Sequence, residues 1–324
     1  MKKKLFVALA IAAFALIIGA GLKGCTLMPW NSQRAVAGRV SILITRDFGR
    51  KVLKSGKVLV RSGDSVMDVL HEVAKVETQY GGGFVASIDG ISSSSAKPAD
   101  WFYYVNGILP SRGADAFEVK PEDKIWWDYH SWNSSNFVPA VIGCYPAPFS
   151  TSCGQAKRKA TIYYKPQMEI LARKIGKFLQ TKGAEIVYES DCKNLGGRRR
   201  QGPSFLFASA EDVSKDENLK RIFASYGSTG IFLSLDGSRI MLKDDNGQEM
   251  QTGKEIKGAI FAFSDGIGDE NPLWVILSEK GEVEKVLEEL LTEPSKIYGK
   301  FAVAVDSSGE VYDLPLAGGN YARK

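Results

Sequence analysis

Close to the N-terminus, an uncharged apolar run of 18 residues, Leu5–Leu22, follows three consecutive lysines. A basic segment followed by an apolar one is typical of export signals. The run is longer than the usual apolar core of about 7–15 residues in a cleaved signal, and slightly shorter than the ~20 residues that span a bilayer comfortably. With either kind of segment the remainder of the chain is exported, so we expect it to fold outside the cytoplasm, where disulfides are stable.

The end of the apolar run leaves two alternatives for how the chain is held at the membrane. Leu22-Lys23-Gly24-Cys25 resembles the lipobox of bacterial lipoproteins, in which a small residue precedes a cysteine that becomes lipidated. Lys23 departs from that pattern, which prefers a small or apolar residue at this position. The first alternative is a lipid anchor on Cys25, and the second is an uncleaved signal anchor.

The charge of the chain argues against nucleic acid as a partner. The formal net charge of +5 comes largely from four lysines that precede Cys25, in a stretch without acidic residues. The exported part is therefore nearly neutral, whereas binding to a phosphate backbone needs a concentrated basic face. Hydrophobic residues at 44% and charged residues at 24% are typical of ordinary folded domains.

The other cysteines predict one disulfide and no metal site. Cys144 and Cys153 enclose a short Pro-containing loop, and a bridge between them would stabilise the fold by about 2–3 kcal/mol through loop closure. Cys192 is left over, either as a free thiol or as a competing partner. Metal binding is not predicted, because the cysteine spacing fits no zinc pattern and the chain has only two histidines.

The first half of the exported chain has the pattern of a small α+β domain. Val40–Thr45 and Lys57–Val60 are typical of a β-hairpin. After them, Asp64 or Ser65 can cap a helix whose apolar residues recur at helical spacing. Further strands are predicted at 84–88, 101–105 and 123–129. A hairpin, a helix and then more strands form a plan that resembles a β-grasp.

The second half alternates strands with helices, which predicts an α/β layered domain. Asp236-Gly237 lies between two apolar runs and is a strong hairpin signal. We therefore predict an α+β chain in which a β-grasp-like domain precedes an α/β domain. The predicted segments are an anchor at 1–25, a tether at 26–38, the first domain at 39–134, a Pro-containing linker at 135–158, the second domain at 159–316 and a tail at 317–324.

Aromatic residues are concentrated near the end of the first domain, where four of the six tryptophans lie between Trp101 and Trp132. In a strand, Tyr103 and Tyr104 point to opposite faces, so both faces of this sheet are aromatic. Either the second face packs on the linker or the C-terminal domain, or it offers a flat surface to a sugar, a macrocycle or a planar cofactor. We call the candidate ligand-binding set the aromatic platform: Phe102, Tyr103, Tyr104, Trp126, Trp127 and Trp132.

A set of short stretches in the first domain matches one known pattern in order: Ser65–Leu70, Gly83–Ile91, Trp101–Gly107 and Gly113–Phe117, extended by Glu118–Tyr129. Over residues 40–132, about a third of the chain, the sequence resembles a bacterial domain-of-unknown-function family that is similar to the C-terminal domain of transcobalamin and intrinsic factor. In those vertebrate carriers this domain closes over one face of cobalamin. The bacterial members are usually envelope proteins, some of them associated with cobalamin or energy-coupling-factor transport.

The resemblance implies a fold more strongly than a ligand. It places Phe102, Tyr103 and Tyr104 where the carriers' strand approaches the corrin ring, and so implies a corrinoid as the small-molecule ligand and an energy-coupling-factor type transporter as a partner. No cofactor is required. The carriers hold cobalamin between this domain and a large helical barrel, and nothing in this sequence resembles that barrel.

Two classes of function are compatible with these patterns. One is an envelope-anchored, extracytoplasmic binding protein that captures a small ligand such as cobalamin on the aromatic platform. The other is a cell-surface interaction module that binds wall polymer or a partner protein through the same residues. An enzyme is not predicted, since Ser209 and Ser264 follow strands without the Gly-x-Ser-x-Gly elbow of a nucleophile.

Overall fold

The computed structural model describes residues 34–94, 96, 98–150, 158–192, 195, 200–279, 281–318, 322 and 323. Residues 36–324 belong to one compact unit, and the fold is mixed α+β, as predicted. The predicted anchor segment and Cys25 lie outside the described residues. Within the described part, no helix is both long enough and apolar enough to cross a membrane. The division into two domains stays a prediction.

The first sheet is built from the N-terminal third of the described chain. The elements there are β1 (Val36–Arg46), β2 (Lys51–Arg61), α1 (Val66–Val73), β3 (Val76–Gln79), β4 (Phe84–Ile88), β5 (Ile91–Ser92), β6 (Ala99–Val105) and β7 (Lys124–Ser131). Four of these strands form the first sheet in the order β2-β1-β7-β6, with β1 and β7 parallel and the other pairs antiparallel. The short strands β3, β4 and β5 form a separate antiparallel sheet.

Helix α1 is capped by Ser65, one of the two caps that the sequence allows, through a capping box. The Ser65 hydroxyl accepts a hydrogen bond from the Asp68 amide at 3.1 Å, and the Asp68 carboxylate accepts one from the Ser65 amide at 2.8 Å. The helix buries Val66, Val69 and Leu70 against one face of the first sheet. These contacts fix the helix on that face and leave the opposite face of the sheet for another partner.

The remaining elements form a second, larger layer. They are β8 (Lys159–Tyr164), α2 (Glu169–Thr181), β9 (Glu185–Glu189), β10 (Ser204–Ala208), α3 (Ala210–Ser214), α4 (Glu217–Ala224), α5 (Tyr226–Thr229), β11 (Leu233–Asp236), β12 (Arg239–Lys243), β13 (Glu249–Gln251), β14 (Ile256–Phe263), β15 (Leu273–Ser278), α6 (Glu282–Thr292), β16 (Ala302–Asp306), β17 (Val311–Leu314) and β18 (Ala322–Arg323). The predicted hairpin at Asp236-Gly237 is confirmed by the antiparallel pair β11 and β12.

The large sheet has eleven strands among the described residues and is mixed. One end of the sheet, β15-β10-β8-β9, is parallel, since β8 pairs in parallel with β9 and β10, and β10 pairs in parallel with β15. Helices α2 and α6 pack on one face through apolar residues such as Ile175 and Leu287. The other face packs against α3 and α4, and also against Tyr104 and Trp126 of the first sheet. The first sheet therefore lies between α1 and the large sheet.

The segment predicted as a linker is a buried part of the fold. Between residues 138 and 149, most side chains are buried, including Ile142, Tyr145 and Phe149, each at 1% exposure or less. Cys144 joins the core shared by the two sheets, whereas Tyr145 and Phe149 join the core under α2 and α6. We call residues 138–149 the buried connection.

Candidate functional site

A cleft of about 720 Å³ lies between the first sheet and the large sheet. One wall is formed by the turn after β6, the segment 108–118 and the start of β7. The opposite wall is formed by residues 147–150 and by the residues that lead into β8, β10 and β15. The volume is within the range of about 300–1,000 Å³ that small-molecule sites occupy. The cleft thus combines groups from both sheets at the amino ends of the parallel strands.

Lys124 lies at the centre of the first wall because of its place in the strand. It is the first residue of β7, and strand alternation puts it on the same face as Trp126, which packs on the large sheet. Its Nζ donates a hydrogen bond to the carbonyl oxygen of Tyr145 in the buried connection, at 2.7 Å. Burial lowers the pKa of Lys124, and the neighbouring Cys144 thiol opposes this shift. The ammonium is therefore partly desolvated.

The turn that carries Lys124 is fixed by an amide and a carboxylate. Asn106 accepts a hydrogen bond from the Lys124 amide at 2.9 Å and donates one to Asp123 Oδ1 at 2.8 Å. The other oxygen of Asp123 accepts from the Lys120 amide at 2.7 Å. Burial raises the pKa of Asp123, and these hydrogen bonds oppose the shift. Both carboxylate oxygens are thus engaged away from the Lys124 ammonium.

The opposite wall contributes a second cation. Nη2 of Arg158 donates a hydrogen bond to the carbonyl oxygen of Glu270, at 2.8 Å. Burial lowers the pKa of Arg158, whereas the Glu270 carboxylate raises it. On the first wall, the Arg112 guanidinium lies over the Phe117 ring at 5.4 Å from its centroid. Basic side chains therefore lie on both walls of the cleft, and its lining also contains amide groups and four carboxylates, those of Glu118, Glu122, Asp123 and Glu270.

The sequence does not single out Lys124 or Arg158, since an isolated cation carries no motif. A signal was nevertheless present, because β7 begins with a charged residue, Lys124, directly before three apolar residues. Lys124 immediately precedes Ile-Trp-Trp, so a lysine on the alternating face of Trp126 has to enter the same interface.

The aromatic platform is largely inaccessible. Tyr104 and Trp126 are 0% and 1% exposed, and both pack on Phe301 of the large sheet, with ring centroids at 5.8 and 5.0 Å. Tyr103 and Trp127 stack at 5.1 Å inside the core under α1. The second aromatic face of the first sheet therefore packs on the C-terminal part of the chain. This corrects the prediction that these four rings are available to a ligand, because a covered ring has no free face to stack on.

Two members of the aromatic platform are only half-buried. Phe102 stacks on His130 with ring centroids 4.4 Å apart, and it packs against the core between the sheets. Trp132 donates from Nε1 to Asp100 Oδ2 at 2.7 Å. Neither residue lines the cleft. The structure thus separates the predicted aromatic site from the cleft.

The described residues include two of the cysteines, Cys144 and Cys192. Cys144 is a buried cysteine with a free thiol among the described residues, and its predicted partner Cys153 lies outside them, so the disulfide stays a prediction. Cys192 is also a buried free thiol. Among the described residues, no three histidine, cysteine, aspartate or glutamate side chains are grouped so that they could hold a metal ion.

Comparisons with known proteins bear on the first sheet and its helix. Residues 63–131 match the family model described as "Domain of unknown function (DUF4430)". This confirms the predicted recognition of a domain-of-unknown-function family over these residues. No curated protein matches the chain in sequence.

Two solved structures are similar to part of the chain. One is a protein of Ruminococcus gnavus ATCC 29149 to which metal binding is ascribed, with 14% identity and a TM-score of 0.23 over 28% of this chain and 95% of that one. The other is haptocorrin in complex with Cbi, with 15% identity and a TM-score of 0.25 over 29% of this chain and 26% of that one. Likenesses this low carry no argument about the ligand of this chain.

Proposed function

We propose that this chain is an extracytoplasmic binding protein, anchored at the cytoplasmic membrane by its N-terminus, that captures a small ligand in the cleft between its two sheets. The observation that carries the proposal is the cleft itself, which has about 720 Å³ of space and walls from both sheets. A site made by two packed layers is pre-formed, and a pre-formed site avoids much of the entropic cost of ordering its residues when ligand binds.

The candidate ligand is a corrinoid, on the ground of the family resemblance of the first part. The polar lining suits such a ligand because Asn106, Gln201 and Asn271 offer amide groups for hydrogen bonds with the amide side chains of a corrin. An energy-coupling-factor type transporter is the proposed recipient of the ligand. The proposed anchor is a lipid on Cys25, with an uncleaved signal anchor as the alternative.

A binding screen of the full chain in detergent tests the proposal. The chain is incubated with corrinoids, wall glycans and a library of polar metabolites, and its melting temperature is measured. A ligand of the cleft should raise the melting temperature of the wild type. It should raise that of Gln201→Trp less or not at all, because a larger side chain at this exposed residue of the cleft obstructs part of it.

Gln180→Trp is the matched control, since Gln180 is also exposed but lies on α2, outside the cleft. A ligand that stabilises both variants as much as the wild type binds elsewhere. In that case the cleft is not the binding site, and the proposed function fails.

A second candidate function is a surface interaction module, and the edge of the first sheet favours it. β2 is an edge strand of 11 residues, and Val52, Leu53 and Leu59 on it are 59%, 36% and 49% exposed. Long exposed edge strands can pair with a strand of another protein. This candidate predicts that a Val52→Lys, Leu59→Lys double variant loses binding to a partner in envelope extracts, whereas Gln201→Trp retains it. The opposite pattern favours the cleft.

A further inference from the structure

The Lys124 ammonium is a half-buried cation, and among the described residues no carboxylate forms an ion pair with it. Its Nζ donates to the Tyr145 carbonyl oxygen, and the lowered pKa of Lys124 reflects burial, with the Cys144 thiol as the other contributor. No carboxylate of the described residues takes part in that shift. Cations in protein interiors are usually paired, because removing a charge from water without a partner is costly. Lys124 is thus an exception that calls for a reason.

The carboxylate nearest in the sequence, that of Asp123, is not a counter-charge for Lys124. Asp123 precedes Lys124 directly, but its two oxygens accept from the Asn106 side chain and the Lys120 amide. Burial also disfavours the charged form of Asp123, as its raised pKa shows. The Asp123 carboxylate therefore stabilises the turn beside Lys124 and does not pair with the Lys124 ammonium.

The ammonium retains hydrogen-bonding capacity toward the cleft. A lysine side chain has three donors, and the Tyr145 carbonyl oxygen uses one of them. Lys124 lines the cleft, and Arg158 on the opposite wall adds a second positive charge. An oxygen anion placed between the two walls would receive charge-assisted hydrogen bonds, which are shorter and stronger than those between neutral groups.

We propose that Lys124 binds an anionic group of the cleft ligand, a carboxylate or a phosphate, with Arg158 contributing to the positive field. This inference rests on the proposed function, because it names the chemistry of the group that the cleft receives. It explains why a lysine directly precedes the apolar run Ile-Trp-Trp of β7 and why no carboxylate of the described residues pairs with it.

The test uses inorganic phosphate and acetate as probes, with acetamide as the neutral analogue of acetate. Each is titrated into the full chain in detergent, and the melting temperature is measured. We expect both anions, but not acetamide, to stabilise the wild type. In Lys124→Met, which has a flexible side chain one atom shorter and without charge, the affinity for the anions should fall by about tenfold or more. A preference for one anion tells whether the group is a carboxylate or a phosphate.

The empty protein provides an independent readout. Without anion, Lys124→Met should melt no lower than the wild type, because removal of a partly desolvated charge without an ion-pair partner offsets the loss of the hydrogen bond to Tyr145. Lys177→Met is the matched control, since Lys177 is an exposed lysine of α2 that lies outside the cleft. It should change neither the melting temperature nor the response to anions by a comparable amount. Lys124→Gln, measured in the same way, replaces Lys124→Met if that variant does not fold.

The outcomes separate the inference from the proposed function. Stabilisation by phosphate or acetate that is equal in wild type and Lys124→Met shows an adventitious ion only and overturns the inference. No stabilisation of the wild type by either anion overturns it too. A neutral ligand that binds the wild type and Lys124→Met equally, but not Gln201→Trp, overturns the inference and supports the proposed function. The last outcome is that anions bind through Lys124 but that no library ligand depends on the cleft. It supports the inference, whereas the proposed function fails.

Discussion

Nδ1 of His130 lies 2.8 Å from Oδ2 of Asp128, and both side chains are buried where the first sheet meets the large sheet. The Asp128 carboxylate also accepts hydrogen bonds from the amide of Phe48 at 3.1 Å, the amide of Gly49 at 2.9 Å and the hydroxyl of Thr45. The His130 ring in turn lies 5.3 Å from the ring of Phe301, which belongs to the other layer. One carboxylate thus connects β7, the β1–β2 turn and the interface.

Asp128→Asn should strongly destabilise the chain. The substitution removes the charge and points an amide N–H toward groups that are themselves donors, which leaves buried donors unpaired. Loss of one partner from such a network costs about 3 kcal/mol of the free energy of unfolding. Urea denaturation followed by circular dichroism measures this cost.

Asp47→Asn is the matched control for Asp128→Asn. Asp47 lies in the same turn, its side chain is 55% exposed, and asparagine tolerates the positive φ of 58° found there. It should change the free energy of unfolding by less than about 0.5 kcal/mol. Equal effects of the two substitutions would show that the buried network does not hold the interface together.

Removing the hydroxyl group should have different effects on stability at the adjacent residues Tyr103 and Tyr104. The Tyr104 hydroxyl is buried and has no hydrogen-bond partner among the described residues, whereas the Tyr103 hydroxyl donates to the Arg112 carbonyl oxygen at 2.6 Å. Tyr104→Phe should therefore be neutral or stabilising, because it removes an unsatisfied polar group. Tyr103→Phe should cost about 1 kcal/mol. Thermal and urea unfolding of both variants decide this, and a larger loss for Tyr104→Phe would contradict the packing described.

Local structure was predictable where the signal is contained in a few neighbouring residues. The alternation from Trp101 to Tyr104 correctly assigns Trp101 and Tyr103 to one core and Tyr104 to the other. The cap at Ser65 and the hairpin at Asp236-Gly237 are likewise determined by backbone preferences of single residues and short motifs.

The position of the site was not predictable, because it depends on contacts between residues distant in sequence. Trp126 packs on Phe301. Lys124 donates a hydrogen bond to the carbonyl oxygen of Tyr145, which lies in the segment that the sequence predicts as a linker. Prolines around Cys144 indicate a loop, but they do not tell whether the loop is exposed or packed. The sequence therefore identified aromatic faces without showing which partner covers them.

Cys25→Ser tests the proposed anchor. The residue follows the apolar run, and lipidation at this position would hold the exported chain on the membrane by its acyl chains. We expect the variant to lose an incorporated fatty-acid label and to leave the membrane fraction. Cys192→Ser, which removes a buried cysteine of the folded part, should retain the label. A Cys25→Ser protein that stays in the membrane at full precursor mass would indicate an uncleaved signal anchor instead.

The state of Cys144 predicts a pH dependence of stability. Burial raises the pKa of its thiol to about 11, and the Lys124 ammonium opposes this shift. A free cysteine in the unfolded chain titrates near about 8.5, so on raising the pH the unfolded state loses its proton first. Stabilisation by the neutral buried thiol is complete below that pH and is lost progressively up to about pH 11, with a total on the order of 3 kcal/mol.

Cys144→Ala isolates this contribution, since it keeps the other groups that titrate at high pH. We expect the free energy of unfolding of the wild type to fall more steeply than that of Cys144→Ala between about pH 8.5 and pH 11, whatever the offset at neutral pH. The thiol should also resist alkylation in the native chain and react after unfolding in urea, because the thiolate is the reactive form and burial suppresses it. Parallel slopes, together with a Cys144–Cys153 peptide in a non-reduced digest, would instead establish the disulfide that the loop predicts.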